Sequence, residues 1–367
     1  MFGVNPRAAA CAVAFIACQA FGQAAPPSSL IVPSHHATIQ SAIDAAAPGD
    51  TVLVLAGTYF EQLRIGKSLS IVGQGMDATV LRAPHELRRG YMRENSIVEI
   101  SGGVVVDMSR LTVAGPGSGT CKKGALKAGI RVFAGAHLDF KFGAVRDVHD
   151  HPLAPCSRSG TGILVGDVPG PSASASVDRS EITNYQSAGI VVLGFGSTAS
   201  VTHNTITGPG HAGGVATDGI EFPVGSVGTI SHNTVSANVC PVTDPTCGPD
   251  WFTQFQHAGI LAGGWGPGTV VTNNLAFGNQ VGIFLGPADK ISDNRMIGNA
   301  LYGLALFDGT FLIDGAQISG GGAGVWAVAQ GSDTAVVLRQ VIFSNLGGPT
   351  IDVLECCGFK ATVTTEP

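Results

Sequence analysis

Eight polar residues in the middle of the chain could do chemistry together: His149, Asp150, His151, His211, Asp218, Glu221, Asp250 and His257. Asp218 and Glu221 share the stretch "DGIEF". Two carboxyls suit hydrolysis of a glycosidic bond, one giving a proton and the other acting as base or nucleophile. Asp250 could stand in for either. β-Elimination from a uronate asks for something else: a base at the C5 proton and a positive partner for the carboxylate. Asp218 and Glu221 could hold that partner as Ca²⁺, with His211 or Arg131 as the base. Ester hydrolysis would need an Asp pair with Arg and Gln. Trp251, His257, Asp250 and Phe284 are candidates for holding a substrate, since aromatic faces stack on sugars. Each has a plainer reading. "DGIE" also fits a turn Asp and a solvated strand Glu. "HDH" at 149–151 also fits a loop cluster, because adjacent side chains rarely point the same way. No metal-ligand set is assigned.

What must position these residues is a repeat. Glycine followed by Ile, Leu or Val recurs at Gly129, Gly162, Gly189, Gly219, Gly259, Gly282, Gly303 and Gly324, at intervals of 21 to 40 residues. A period of that length built from short β segments means a solenoid. Asparagine keeps phase with it, in "VTHNTI" (Asn204), "ISHNTV" (Asn233), "VTNNLA" (Asn274) and "ISDNRM" (Asn294). We read three strands per coil, the first beginning at Gly-Ile, the second ending before the Asn and the third starting after it. The bend needs a left-handed residue, a conformation that Asn tolerates. Asn204, Asn233, Asn274 and Asn294 are therefore expected at the bend, their amides stacked in a ladder. His203 and His232 beside it read as surface or turn residues. Ile190, Ile220, Ile260 and Ile283 should stack inside, and the residue after each should point out.

That outward row runs Arg131, Leu164, Val191, Glu221, Leu261, Phe284, Ala305, Trp326. It is an apolar shelf with Arg131 and Glu221 as exceptions, three coils and about 14 Å apart. Long loops flank it in the middle coils: 114–128, 149–159, 208–217 and 237–257. Shelf and loops together make a groove, and loops on a rigid scaffold are where function concentrates.

Composition agrees with a strand-rich chain. Of 367 residues only 13% are charged and 52 are glycine. The net charge of -6 gives no basic stripe for nucleic acid. Residues 1–24 read as an export signal, with Arg7 before an apolar run, too short to span a bilayer. A lipoprotein cut before Cys18 fits less well. The expectation is a secreted or periplasmic protein, monomeric, with no membrane span. Export permits disulfides. Cys121–Cys156 would join neighbouring loops and Cys240–Cys247 would pin one loop. Cys356 and Cys357 are left as bridged, free or intermolecular. We place a linker at 25–36, the repeat at 37–360 and a tail at 361–367. Near the start, Ile39, Ile43 and Ala46 or Ala47 share a helical face, which "PGD" ends at Asp50. Such a helix would cap the first coil.

The stretch "TIQSAIDAAAPGDTVLVLAGTYFEQLRIGKSLSIVGQGMDATVL" resembles the opening of secreted right-handed parallel β-helix proteins of the pectate-lyase-like kind. The resemblance implies an all-β fold of roughly ten or eleven coils. "LDFKFG" at 138–143 is similar to a pectin methylesterase motif, but the accompanying Leu-Gly-Arg-Pro-Trp is absent. "GPGHAGG" is similar to the Gly-His-Gly of polygalacturonases, whose other motifs are missing. Neither activity is carried over. Maturation proteins of nitrous-oxide reductase share the repeat style, yet nothing marks a copper site. The function expected is binding of an acidic polysaccharide in the groove, with cleavage by β-elimination. Two readings compete with it: hydrolysis by paired carboxylates, and a non-catalytic surface rod that presents its loops to a partner.

Overall fold

The computed structural model describes residues 28–88, 95–118, 124–151, 159–212, 217–223, 225–239, 257–263, 268–287 and 290–367. Short strands wind into three parallel sheets of 13, 11 and 11 strands. The first sheet of each coil holds the Gly-Ile strands and has 11 members, from Leu63–Ile65 to Ile351–Glu355. The second has 13, and the third, after each asparagine, has 11. This is the expected right-handed parallel β-helix.

Alternation decides what lies inside. In the first sheet Ile190 pairs with Ile220, Ile220 with Ile260 and Ile260 with Ile283, and all four are fully buried. Each coil rests its aliphatic side chains on the next, and the core runs along the rod as one cluster. A fully buried Ile contributes roughly 1.5–3 kcal/mol over an exposed one.

The corners carry polar order. Asn204 donates from both its backbone N–H and its Nδ2 to Asn233 Oδ1, each at 3.0 Å. Asn233 does the same to Asn274, and Asn274 to Asn294, again at 3.0 Å. The second amide hydrogen goes to a strand carbonyl, as from Asn233 to Val201 at 2.8 Å. The left-handed residue, however, is the one before each asparagine. His203, His232, Asn273 and Asp293 have φ of 57, 59, 57 and 58°. The asparagine must stay extended to send its amide inward; the bend falls on its outward neighbour, where His, Asn and Asp tolerate positive φ. The rings of His203 and His232 stack at 4.8 Å on the outside of that corner.

A second asparagine file was not expected. Asn238 donates to Asn279 Oδ1 at 3.1 Å from both its nitrogens, and Asn279 to Asn299 at 3.0 and 3.3 Å. It adds to the demand for glycine in three coils; from Gly129 to Gly282 the carbonyl of the next coil's glycine also crowds that position, as Gly189 O would stand 2.5 Å from a Cβ on Gly162. A Cβ on Gly219, Gly259 or Gly282 would stand 3.0, 2.7 or 2.7 Å from the Nδ2 of Asn238, Asn279 or Asn299. Only glycine leaves room for this inner amide at the entry to the first strand.

The N-terminal end is closed by the helix Ile39–Ala45, with Ile39, Ala42 and Ile43 buried and a capping box between Thr38 and Ser41. Two boundaries need correction. The segment 25–36, expected as a linker, contains the strand Ser29–Val32, paired with Thr51–Val54. The segment 361–367, expected as a tail, contains Ala361–Glu366, paired with Thr334–Arg339. Both continue a β ladder that their flanking sequence did not announce. Cys356 and Cys357 are bridged to each other beside the last of these strands. Among the described residues no helix is long and apolar enough to cross a membrane.

Candidate functional site

Register places the outward row of the first sheet as expected: Arg131 beside Leu164, then Val191, then Glu221, then Leu261, Phe284, Ala305 and Trp326. Burial along it is uneven. Arg131 is 1% exposed, Leu164 5% and Val191 7%, whereas Glu221, Leu261 and Phe284 are half-buried. Leu164 and Val191 belong to a separate outer cluster with Ala128 and Ala188. The row is thus shut over its first coils, opens in part at Glu221, Leu261 and Phe284, and is covered again at Ala305 and Trp326.

This corrects the reading of Arg131. Its guanidinium binds Asp167 Oδ2 at 3.0 Å and lies over the Phe133 ring at 5.0 Å. Arginine stays protonated in proteins, and here the charge is matched and buried. It holds an ion pair beneath the surface instead of acting as a base in an open groove.

Asp218 opens the strand Asp218–Phe222 and accepts the Ala258 N–H of the next coil at 2.8 Å. Burial first, then the charge of Glu221, push its carboxyl well above the usual carboxylate range; the Ala258 N–H pulls the other way but does not prevail. Asp218, half-buried at the start of its strand, thus holds its proton more tightly than an exposed Asp would. Behind it, Tyr185 is buried and donates its hydroxyl to Asn238 Oδ1. Burial, then the charge of Asp218, raise the tyrosine. Tyr185 and Asn238 are the neighbours that sequence reasoning missed. Their signal was there: Asn238, Asn279 and Asn299 each follow a ladder asparagine by five positions.

The other candidates are dispersed. His211 is exposed on the short 3-10 turn Gly210–Ala212. His257 is 6% exposed, with both ring nitrogens shut off from solvent. It sits under the shelf and not on it. "HDH" splits by direction: His149 turns its Nδ1 to the Asp150 carbonyl at 2.9 Å, His151 is exposed, and Asp150 is fully buried. Asp150 accepts the Leu126 N–H at 2.8 Å, and burial raises its carboxyl against that bond. It ties coils together. Asp250, Trp251, the pairs Cys121–Cys156 and Cys240–Cys247, Cys18 and the segment 1–24 lie outside the described residues.

The described residues gather no oxygen set of the kind that Ca²⁺ takes. That ion takes six to eight oxygens, ionised carboxylates foremost. Asp218 is held toward its neutral form and already accepts an N–H. Among the described residues no three His, Cys, Asp or Glu gather as a metal site.

Comparison with known proteins agrees with this architecture. Residues 161–345 match the family model described as the right-handed beta helix region, half of the chain. No curated protein matches by sequence. Among solved structures the chain is similar to an alginate lyase from Paenibacillus sp. str. FPU-7, with TM-score 0.53, 12% identity, and 91% of this chain and 99% of that one covered. It is similar to the A-module of a mannuronan C-5 epimerase from Azotobacter vinelandii, with TM-score 0.50, 17% identity, and 89% and 94% covered. It is also similar to a lacto-N-biosidase from Eubacterium ramulus, with TM-score 0.58, 14% identity, and 89% of this chain but 63% of that one covered. At such identities the likeness is one of fold. The coiled core, its asparagine corners and the match over the middle and later coils lead to one assignment: the chain belongs to the right-handed β-helix family.

Proposed function

We propose that this protein is exported, binds a polysaccharide along the outer face of the first sheet and cleaves it by hydrolysis at Asp218 and Glu221. One observation carries the reading: two carboxyls on one strand, one pushed well above the usual carboxylate range by desolvation and by the charge of the other, at the point where the shelf opens. Such environments split a carboxyl pair into proton donor and ionised partner. Asp218 protonates the leaving oxygen. Glu221 acts from the carboxylate side, as nucleophile or as base toward water. Solved structures sharing the fold include proteins named alginate lyase, mannuronan C-5 epimerase and lacto-N-biosidase, which supports a saccharide ligand.

Lyase chemistry is the second reading. Its support is that a neutral Asp218 could donate to a uronate carboxylate, as a lyase must. His211 or Glu221 would then take the C5 proton.

The test is a panel of neutral and uronate polysaccharides, followed by reducing-end release and by unsaturated-uronate absorbance, with and without chelator. Hydrolysis gives reducing ends without the absorbance and is indifferent to chelator. Asp218→Asn and Glu221→Gln should each lower turnover about 10²–10⁴-fold. Full activity in both variants removes the site from this strand. Appearance of the absorbance selects the lyase reading.

A further inference from the structure

The outer face beyond Glu221 is aromatic. Phe284 stacks on Phe307, with ring centroids 4.5 Å apart and planes at 22°. Tyr302 stacks on Trp326 at 5.1 Å and 14°, and Phe307 meets Trp326 edge-on at 5.1 Å. Phe284, Tyr302 and Phe307 are half-buried, and Trp326, 4% exposed, is the floor between them. The Tyr302 hydroxyl donates to Asp352 Oδ2 at 2.8 Å, and the Val353 N–H to Asp352 Oδ1 at 3.0 Å. This cluster is separate from the main core. The strands of the first sheet from Asp218–Phe222 to Ile351–Glu355 have no Lys or Arg; their acidic residues are Asp218, Glu221, Asp352 and, at the far end, Glu355, which is paired with Lys360.

We propose that Phe284, Tyr302, Phe307 and Trp326, with Asp352 at their far end, form a distal subsite for neutral sugar units of the bound chain. This deepens, and rests on, the reading of Asp218 and Glu221 as the reaction centre. Register puts Phe284 two coils from Glu221 and Trp326 four, about 10 and 19 Å along the rod. A sugar unit in an extended chain is about as long as a coil is high, so a chain cleaved at the carboxyl pair reaches the aromatic cluster after two to four units. Ring faces cover the apolar faces of pyranoses. Asp352, oriented by Tyr302, accepts hydroxyl hydrogens. The same charges oppose a uronate: Glu221 and Asp352, with no cation on these strands, repel carboxylates, and uncharged sugars escape that cost.

The test is binding and cleavage of two oligosaccharide ladders, neutral and uronate, by the full-length protein. Neutral oligomers long enough to reach Phe284 should bind about tenfold more tightly than disaccharides. Phe284→Ala should erase that gain and leave disaccharide affinity unchanged. Phe284→Tyr should keep it, which separates lost stacking from lost folding. Tyr302→Phe, which preserves the ring, should weaken long oligomers only, and Asp352→Asn should narrow the discrimination against uronates. Equal affinity at all lengths, a preference for uronates, or a shelf that holds two copies of the chain together in solution and releases them on Phe284→Ala would each overturn the subsite. These outcomes differ from failure of the cleavage site: if Asp218→Asn retains activity while Phe284→Ala loses long-chain binding, the subsite stands and the reaction centre moves.

Discussion

Asn279 lies over Gly259: a Cβ on that glycine would come 2.7 Å from Asn279 Nδ2 and 2.8 Å from the Gly282 carbonyl. The close approach links two sequence signals separated by twenty positions. The glycine opens the first strand; the asparagine occupies the space that it leaves and bonds to Asn299 in the coil beyond.

Gly259→Ala should therefore overpack a corner that cannot yield, since backbone as well as amide blocks the new methyl. The expected cost is about 1–3 kcal/mol, read as a lower denaturant midpoint with unchanged slope. Gly278→Ala is not an equivalent control despite its open space, because its φ is 60°; Gly66→Ala, with ordinary φ and nothing within 4 Å, is the one to use, and it should cost little.

The outer ladder makes a sharper prediction. Asn233→Ala removes the acceptor for two donors of Asn204 and takes from Asn274 Oδ1 the Nδ2 donor, while the backbone N–H of residue 233 remains to it. All are buried, where an unsatisfied group costs about 1–3 kcal/mol. A loss of roughly 3 kcal/mol is expected by chemical denaturation.

The bend falls on the residue before, and substitution can show it. His232→Val puts a β-branched side chain at φ 59° and should cost about 1–2 kcal/mol. His232→Asn should be near neutral, since Asn accepts this conformation. If thermal melting finds the two variants alike, the left-handed position has been misplaced.

These corners show what was legible. Periodicity gave the isoleucine file and the outer ladder, because stacking repeats the same side chain every coil. It did not give the backbone angle: "HN" offers two residues that tolerate positive φ, and only the inward demand on Asn204 decides between them. The inner file of Asn238, Asn279 and Asn299 was equally periodic but hidden among variable loops. Arg131 marks the other limit. Alternation says that a side chain points outward; it does not say whether that face is covered, and Arg131 is. Asp218 and Glu221 were legible as a pair, whereas the raised carboxyl of Asp218 depends on desolvation that no local sequence shows.

That state has consequences for pH. A carboxyl raised in the folded protein binds its proton more tightly folded than unfolded. Stability then falls as pH rises from the free value of 3.8 toward the raised one, because the unfolded chain gains by ionising first. Above that window the folded protein carries the full cost of a buried charge beside Glu221. Asp218→Asn removes the titration and should flatten this part of the stability curve, leaving the variant more stable than wild type at neutral pH though about 10²–10⁴-fold slower. Activity should follow the same group with its own shape. It should fall as Asp218 loses its proton, an alkaline limb that vanishes with Asp218. Melting temperatures across pH for both proteins check the first relation, and kcat/KM across pH the second. A wild-type curve parallel to that of Asp218→Asn would mean that Asp218 titrates like any exposed carboxylate, and the proton donor would have to be sought elsewhere.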